Sequence, residues 1–283
     1  MNTIWSDHIQ GILTLYLSRK LRFDDVFSEQ YRRRFDLDPN AGMRILELGC
    51  GPGALAGALQ RWYPNAAITG VDRDSRFVAF AKAQHPAIGF VEGDITALPF
   101  DDGSFDVTIS NTVQEHVEPA AFWGEQRRVL KPGGISLCLS ARKGICRKAP
   151  CLAMTDAEKA FWECHAGGES DLERYQVGRY AATEDRIPAD MERYGFSDVS
   201  TGYAVIDLTP DDPRYPAAMA EAMIEAERQG DLEAIDSVHA EDAENAKAAV
   251  NAKYDERLAL YRSGVKQWDT TVSVIMVIRG VKR

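Results

Sequence analysis

Ile45-Leu46-Glu47-Leu48-Gly49-Cys50-Gly51-Pro52-Gly53 decides the fold of this 283-residue chain. Met43 to Leu48 is a short apolar run suited to a buried parallel strand, and Ala54 to Trp62 follows with good helix formers, so three alternating glycines occupy a strand-to-helix turn. Glycine has no Cβ, which lets such a turn take positive φ and lay its amides against a ligand. The free N–H groups of the following helix favour anionic or polar atoms. The stretch reads as a nucleotide-type cofactor site. Such a loop is not specific alone; the residues downstream of it, at fixed distances, make it so.

A second strand, Ala67 to Val71, ends at Asp72. A carboxylate at the carboxyl end of a parallel strand can accept bidentate hydrogen bonds from two ribose hydroxyls; the competing reading of Asp72 is a helix N-cap. A third strand, Gly89 to Gly93, delivers Asp94 and Ile95, where an acid could take the exocyclic amine of an adenine and the isoleucine could cover a ring face. Leu98 to Asp106 is a Pro/Asp/Gly turn cluster before the strand Val107 to Ser110. Val129-Leu130-Lys131-Pro132-Gly133-Gly134 ends a helix before the apolar run Ile135 to Leu139.

These motifs together resemble the class I S-adenosylmethionine-dependent methyltransferases, in their small-molecule "type 11" branch, which includes the ubiquinone and menaquinone biosynthesis methyltransferases. The resemblance covers roughly residues 43 to 140 and rests on ELGCGPG, GVDRD, GDITALPFDDGSFD, SNTVQEHV and LKPGG in family order. It implies a doubly wound, Rossmann-like α/β fold with a seven-stranded sheet and one antiparallel edge strand. It implies S-adenosyl-L-methionine as cofactor and S-adenosyl-L-homocysteine as product. Cofactor contacts are then expected at Glu47, Gly49, Cys50, Gly51, Gly53, Asp72, Arg73, Asp94, Ile95, Asn111 and Thr112. Cys50 fits as a loop residue rather than a nucleophile.

Composition agrees with a globular enzyme: 45% hydrophobic and 27% charged residues, enough chain for one large core or a core with a subdomain. Five cysteines without a regular framework argue for a reducing compartment. The start lacks a basic n-region with a long apolar core, and no run approaches the ~20 apolar residues of a membrane span, so a cytoplasmic protein is expected. A formal net charge of −10 opposes binding to nucleic acid. The basic patches Tyr31 to Arg34 and Arg142 to Lys148 read as a solvated helix face and a loop, with an anionic small substrate open to either. Cys146, Cys151 and Cys164 lack paired metal-ligand spacing, and they depart from the cysteine positions of arsenite methyltransferases. No metal is expected.

Outside the motif block the chain divides into three expected parts. Residues 1–40 carry apolar positions from Ile4 to Phe35 at helical spacing, two helices that would form an N-terminal lid. Tyr31 is a substrate-pocket candidate there, with packing as its commoner explanation, and Arg142 is a second candidate. Residues 41–209 and 269–283 form the catalytic core. Thr155-Asp156-Ala157-Glu158 is a capping box that starts a helix to about His165. A helix from Glu184 leads to a strand ending at Leu208, and Thr271 to Ile278 is the final strand. Residues 210–268, read as helices over 217–228 and 231–262, form an inserted subdomain whose alanine-rich stripe could cap the pocket, pair with a second subunit as a homodimer, or merely stabilise the edge.

A sulfonium methyl is electrophilic, so the protein must align a nucleophile behind it; a base matters only if the nucleophile is protonated. Glu115 and His116 are positioned for that base, or alternatively anchor their loop through hydrogen bonds. Two other functions share these features. A nicotinamide-dependent oxidoreductase fits G-x-G-x-x-A formally but leaves Glu47, Asp94 and LKPGG unexplained. A non-catalytic cofactor-binding regulator would keep Asp72 and Asp94. The partner expected is a small-molecule methyl acceptor.

Overall fold

A computed structural model describes residues 5–165 and 171–283; the expected apolar position Ile4 and the side chain of Lys143 lie outside what is described. The helices are α1 (Ile12–Arg22), α2 (Ser28–Phe35), α3 (Ala54–Trp62), α4 (Ser75–Gln84), α5 (Pro119–Val129), α6 (Asp156–Cys164), α7 (Asp171–Arg174), α8 (Arg186–Arg193), α9 (Ala217–Asp236) and α10 (Ala243–Arg262). The strands are β1 (Arg44–Leu48), β2 (Ala67–Asp72), β3 (Gly89–Glu92), β4 (Phe105–Asn111), β5 (Leu130–Arg147), β6 (Phe196–Leu208) and β7 (Thr270–Lys282). They make one seven-stranded sheet in the order β3-β2-β1-β4-β5-β7-β6, parallel from β3 to β5 and antiparallel at one edge.

The order reverses direction between β1 and β4, which leaves a crevice beyond their carboxyl ends. β1 is buried from Ile45 to Leu48, as a strand covered on both faces must be. Leu46, Leu48 and Val71 pack with Phe105 and Val129 on one side of the sheet. LKPGG does more than stop a helix. Phe105 pairs with Leu130 and Val107 with Ile135, so four residues of β5 loop out of the ladder, and Gly133 there takes φ +76°.

The chain falls into two compact units. The first holds the described residues of 5–143, 171–206 and 274–283. Its N-terminal helices carry an aromatic cluster in which Tyr31 is fully buried, with ring centroids 5.3 Å from Phe23 and 5.5 Å from Trp62. The Tyr31 hydroxyl donates to the Arg22 carbonyl at 3.3 Å. Tyr31 is a core residue rather than a pocket residue, because a ring at the centre of an apolar cluster gains more by packing than by facing a ligand.

The second unit holds 144–165 and 207–273. Residues 144–165, expected with the core, cluster here because Leu152 and Phe161 pack on Ile224, Val250 and Tyr254. The capping box forms: Thr155 Oγ1 accepts from the Glu158 amide at 3.2 Å and Glu158 Oε2 accepts from the Thr155 amide at 2.9 Å. Glu158 also ion-pairs with the buried Lys253. The long helices break at 237–242, not at 229–230 as the sequence suggested, so Gly230 lies inside α9. A single helical glycine costs about 1 kcal/mol, which the burial of Ile224 and Ile235 on either side of it outweighs.

Candidate functional site

The first unit contains a cavity of about 360 Å³ at the carboxyl ends of β1, β2 and β4, within the range of sites for one cofactor-sized molecule. Its floor is the glycine loop. Gly49, Gly51 and Gly53 have φ of +62°, +52° and +86°. A Cβ on Gly49 would lie 2.6 Å from Val113, and one on Gly53 would lie 2.9 Å from Ala81, so both position and backbone demand glycine.

Two acids flank the loop, Glu47 buried and Asp72 half-buried. Glu47, 2% exposed, has no partner for Oε2, and burial, reinforced by Asp72, holds its carboxyl well above the ordinary range. Asp72 Oδ2 accepts from the Gly51 amide at 2.8 Å and Oδ1 from the Asp74 amide at 2.8 Å. Burial pushes Asp72 up to about 6 although both amide bonds pull the other way. The N-cap of α4 is Asp74, which accepts from the amides of Arg76 and Phe77. Asp72 is therefore not the cap, and each of its oxygens keeps a lone pair for a ligand.

Gly49, Cys50, Gly51, Arg73, Asp94 and Ile95 all border the cavity. Asp94 Oδ1 is held by the Thr96 amide and hydroxyl at 2.8 and 2.7 Å. Asn111 at the end of β4 and Thr112 just after it also border the cavity. Asn111 Oδ1 is buried without a partner, and Thr112 takes φ +53°, a strained conformation for a β-branched residue. Its amide bond to the Leu139 carbonyl, 2.8 Å, holds it there. Gly53 shapes the loop without bordering the cavity, and Tyr31, Glu115 and Arg142 also lie outside the bordering set.

His116 borders the cavity, but its geometry opposes the role of base. Its Nδ1 accepts from the Gly178 amide at 2.9 Å, and burial followed by Arg73 lowers the imidazole to about 4. A neutral ring that accepts at Nδ1 carries its proton on Nε2, leaving no free lone pair. The Glu115 carbonyl accepts from the Tyr180 amide at 2.8 Å. The pair thus pins residues 178–180, the anchoring role that stood as the alternative to a base. Burial raises the Glu115 carboxyl, with Arg142 and Arg19 opposing.

Several bordering residues escaped the sequence reading: Trp5, Leu15, Arg19 and Phe23 from the N-terminal segment, and Tyr180. Trp5 meets the His116 ring edge-on at 4.7 Å, and the Ser6 amide donates to Asp74 Oδ2 at 2.9 Å. The helical stripe at 4–35 signalled a cover but not which residues face inward. No local pattern marks Tyr180.

Residues 46–138 match the methyltransferase-domain family. The fatty-acid O-methyltransferase of Mycolicibacterium smegmatis is 41% identical over 105 residues, 36% of this chain and 38% of that protein. The phthiotriol/phenolphthiotriol dimycocerosates methyltransferase of Mycobacterium tuberculosis is 41% identical over 97 residues, 33% of this chain and 36% of its own. The chain thus matches well under half the length of these curated relatives. Among solved structures, a Haemonchus contortus phosphoethanolamine N-methyltransferase 2 in complex with S-adenosyl-L-methionine superposes with a TM-score of 0.57 at 17% identity, covering 99% of this chain and 59% of that one. The YcgJ protein of Bacillus subtilis gives 0.51 at 19%, covering 91% and 98%. The matched block lies on β1 to β5 of a sheet ordered 3-2-1-4-5-7-6, so residues 46–138 match a methyltransferase domain and the sheet has the class I methyltransferase fold.

Proposed function

We propose that this protein transfers a methyl group from S-adenosyl-L-methionine to a small-molecule acceptor. The observation that carries the reading is the buried Glu47 and half-buried Asp72 beside a positive-φ glycine loop, with Glu47 Oε2 and Asn111 Oδ1 lacking partners. Unpaired buried acceptors call for donors, and a cofactor bearing an ammonium, a sulfonium and two ribose hydroxyls supplies them. A nicotinamide dinucleotide would instead bring its diphosphate to the glycine loop beside the buried Glu47, an acid where that ligand needs neutral amides or cations, whereas Asp72 would take a ribose in either case.

When bound, the cofactor supplies a methyl group open to in-line displacement. Asp72 takes the ribose hydroxyls, Asp94 and Ile95 take the adenine, and Glu47, the glycine loop and Asn111 take the amino-acid end. Thr112 and Tyr180 fix the wall facing the acceptor. In this reading His116 and the Glu115 carbonyl hold the strap of residues 178–180 through the Gly178 and Tyr180 amides. Five free cysteines support a reducing compartment such as the cytoplasm, and no helix among the described residues is long and apolar enough to cross a membrane. A homodimer through α9 and α10 is the corresponding proposal for assembly, and a monomer mass in sedimentation would refute it.

Parallel isothermal titration with S-adenosylmethionine, S-adenosylhomocysteine and NAD tests the reading. Micromolar binding of the two sulfur compounds and none of NAD is expected; NAD binding alone overturns it. Affinity is also expected to rise with pH. The ribose hydroxyls favour ionised Asp72, whose carboxyl sits at about 6 in the free protein, so binding below that pH expels a proton. The gain from pH 5 to 7 is about tenfold, with Glu47 acting in the same direction. A flat profile over that window removes Asp72 from the ligand's contacts.

A further inference from the structure

One face of α1 enters the cavity. Leu15, Arg19 and Phe23, each one helical turn beyond the last, all border it. Leu15 stands over the glycine loop, since a Cβ on Gly51 would lie 3.5 Å from its Cδ2. At the other end of the stripe the Phe23 carbonyl accepts from Arg61 Nη2 at 3.4 Å, beside the C-terminal end of α3. Arg19 therefore lies between the glycine loop and the end of α3, and its Nη2 reaches Thr112 Oγ1 only at a long 3.4 Å. No carboxylate pairs with this guanidinium among the described residues; Glu115 acts on it at longer range, and Arg22 opposes. Burial holds Arg19 below the ordinary guanidinium range.

A cation taken out of water without a counter-charge is costly, and the space beside this one is the cavity itself. α3 adds a second source of positive potential. It begins after Gly53 with no side-chain cap, and Ala54 and Leu55, whose amides have no intrahelical partners, border the same cavity. The other cation at the border, Arg73, is exposed beside Asp72, where the ribose is placed. In the cofactor of the methyl-transfer reading, the amino-acid carboxylate is the one anion. We propose that Arg19 receives that carboxylate, with the first turn of α3 behind the glycine loop, so that α1 selects cofactors that carry an intact amino-acid end. The ammonium at Glu47 and the carboxylate at Arg19 then match the two signs of one amino-acid group. A guanidinium suits the task because its planar fork presents paired donors to both carboxylate oxygens. The proposal rests on the methyl-transfer reading, and an anionic methyl acceptor is the rival occupant of Arg19.

The test titrates S-adenosylhomocysteine and its decarboxylated analogue S-adenosylthiopropylamine, which keeps the amine and lacks only the carboxylate, into the wild type, Arg19→Met and Arg19→Lys. The wild type is expected to bind S-adenosylhomocysteine at least about tenfold more tightly than the analogue. Arg19→Met should lose about tenfold or more for S-adenosylhomocysteine and less than about twofold for the analogue, which offers Arg19 no partner. Arg19→Lys keeps the charge without the fork and should lose at least about threefold for S-adenosylhomocysteine alone, so the proposal stays testable if the methionine variant does not fold. Equal wild-type affinity for the two ligands overturns the proposal. So does unchanged S-adenosylhomocysteine affinity in either variant, which would leave Arg19 to an anionic acceptor. An equal loss for both ligands also overturns it, because Arg19 would then act by packing α1 over the cavity. Wild-type protein that binds neither ligand would overturn the methyl-transfer reading itself.

Discussion

Asp72→Ala lowers the affinity for S-adenosylhomocysteine by about 2–4 kcal/mol, roughly thirty- to a thousand-fold, the worth of two hydrogen bonds to a charged acceptor. His116→Ala lowers it by less than about threefold. The asymmetry follows from what each side chain holds. Asp72 joins the Gly51 amide to the Asp74 amide at 2.8 Å each, so its removal frees the glycine loop as well as deleting the ribose acceptor. His116 spends its one acceptor on Gly178, and its loss loosens the strap rather than the cofactor floor. Asp72→Asn separates the two effects: an amide oxygen can still take the Gly51 N–H, but its NH2 faces the Asp74 N–H, so an intermediate loss is expected. Titration of all three variants at pH 7.5 decides it. Equal losses in Asp72→Ala and His116→Ala would sink this division of roles.

The sequence carried the sheet and the glycine loop because both are encoded locally. Apolar strands of four to seven residues, the first three closed by Gly or Asp, mark β1 to β4 without reference to anything distant. Ambiguity remained where two like residues stand close together. Asp72 and Asp74 are both able to cap α4, and only the hydrogen bonds of the folded chain give the cap to Asp74 and leave Asp72 for a ligand. The parts contributed from afar were illegible. Arg19 reaches Thr112 across 93 residues and Gly178 reaches His116 across 62, and no spacing rule registers such pairs. Tyr31 shows the converse error, since an aromatic residue in a covering helix looks the same in sequence whether it faces a ligand or Trp62. The α9–α10 break was misplaced for a further reason: Ala, Glu and Asp run through it without a proline, so the one glycine drew the boundary to itself although packing had already overridden it.

The largest effect on stability is expected at Arg257→Ala in α10, a loss of about 3–5 kcal/mol in the second unit. Arg257 is fully buried. Its Nε donates to Asp269 Oδ1 and Oδ2 at 3.0 and 3.2 Å, and its Nη2 donates to Asp211 Oδ2 at 2.9 Å. Asp211 and Asp269 are only 6% and 5% exposed, so truncation strands two carboxylates in a medium that cannot solvate them. Asp211 retains the amides of Gln267 and Trp268 at 2.9 and 2.8 Å, whereas Asp269 loses its charged partner outright. Arg257→Met fills most of the volume without replacing the charge. If charge dominates, it should be nearly as damaging as alanine, and adding Asp269→Asn should restore about 1–3 kcal/mol by removing the larger of the two unpaired-anion penalties. Urea unfolding measures the total, and amide exchange across α10 and 207–216 localises it. A loss below about 1 kcal/mol for Arg257→Ala, or methionine restoring wild-type stability, would mean that packing volume rather than ion pairing holds α10 to the 207–216 and 267–273 segments.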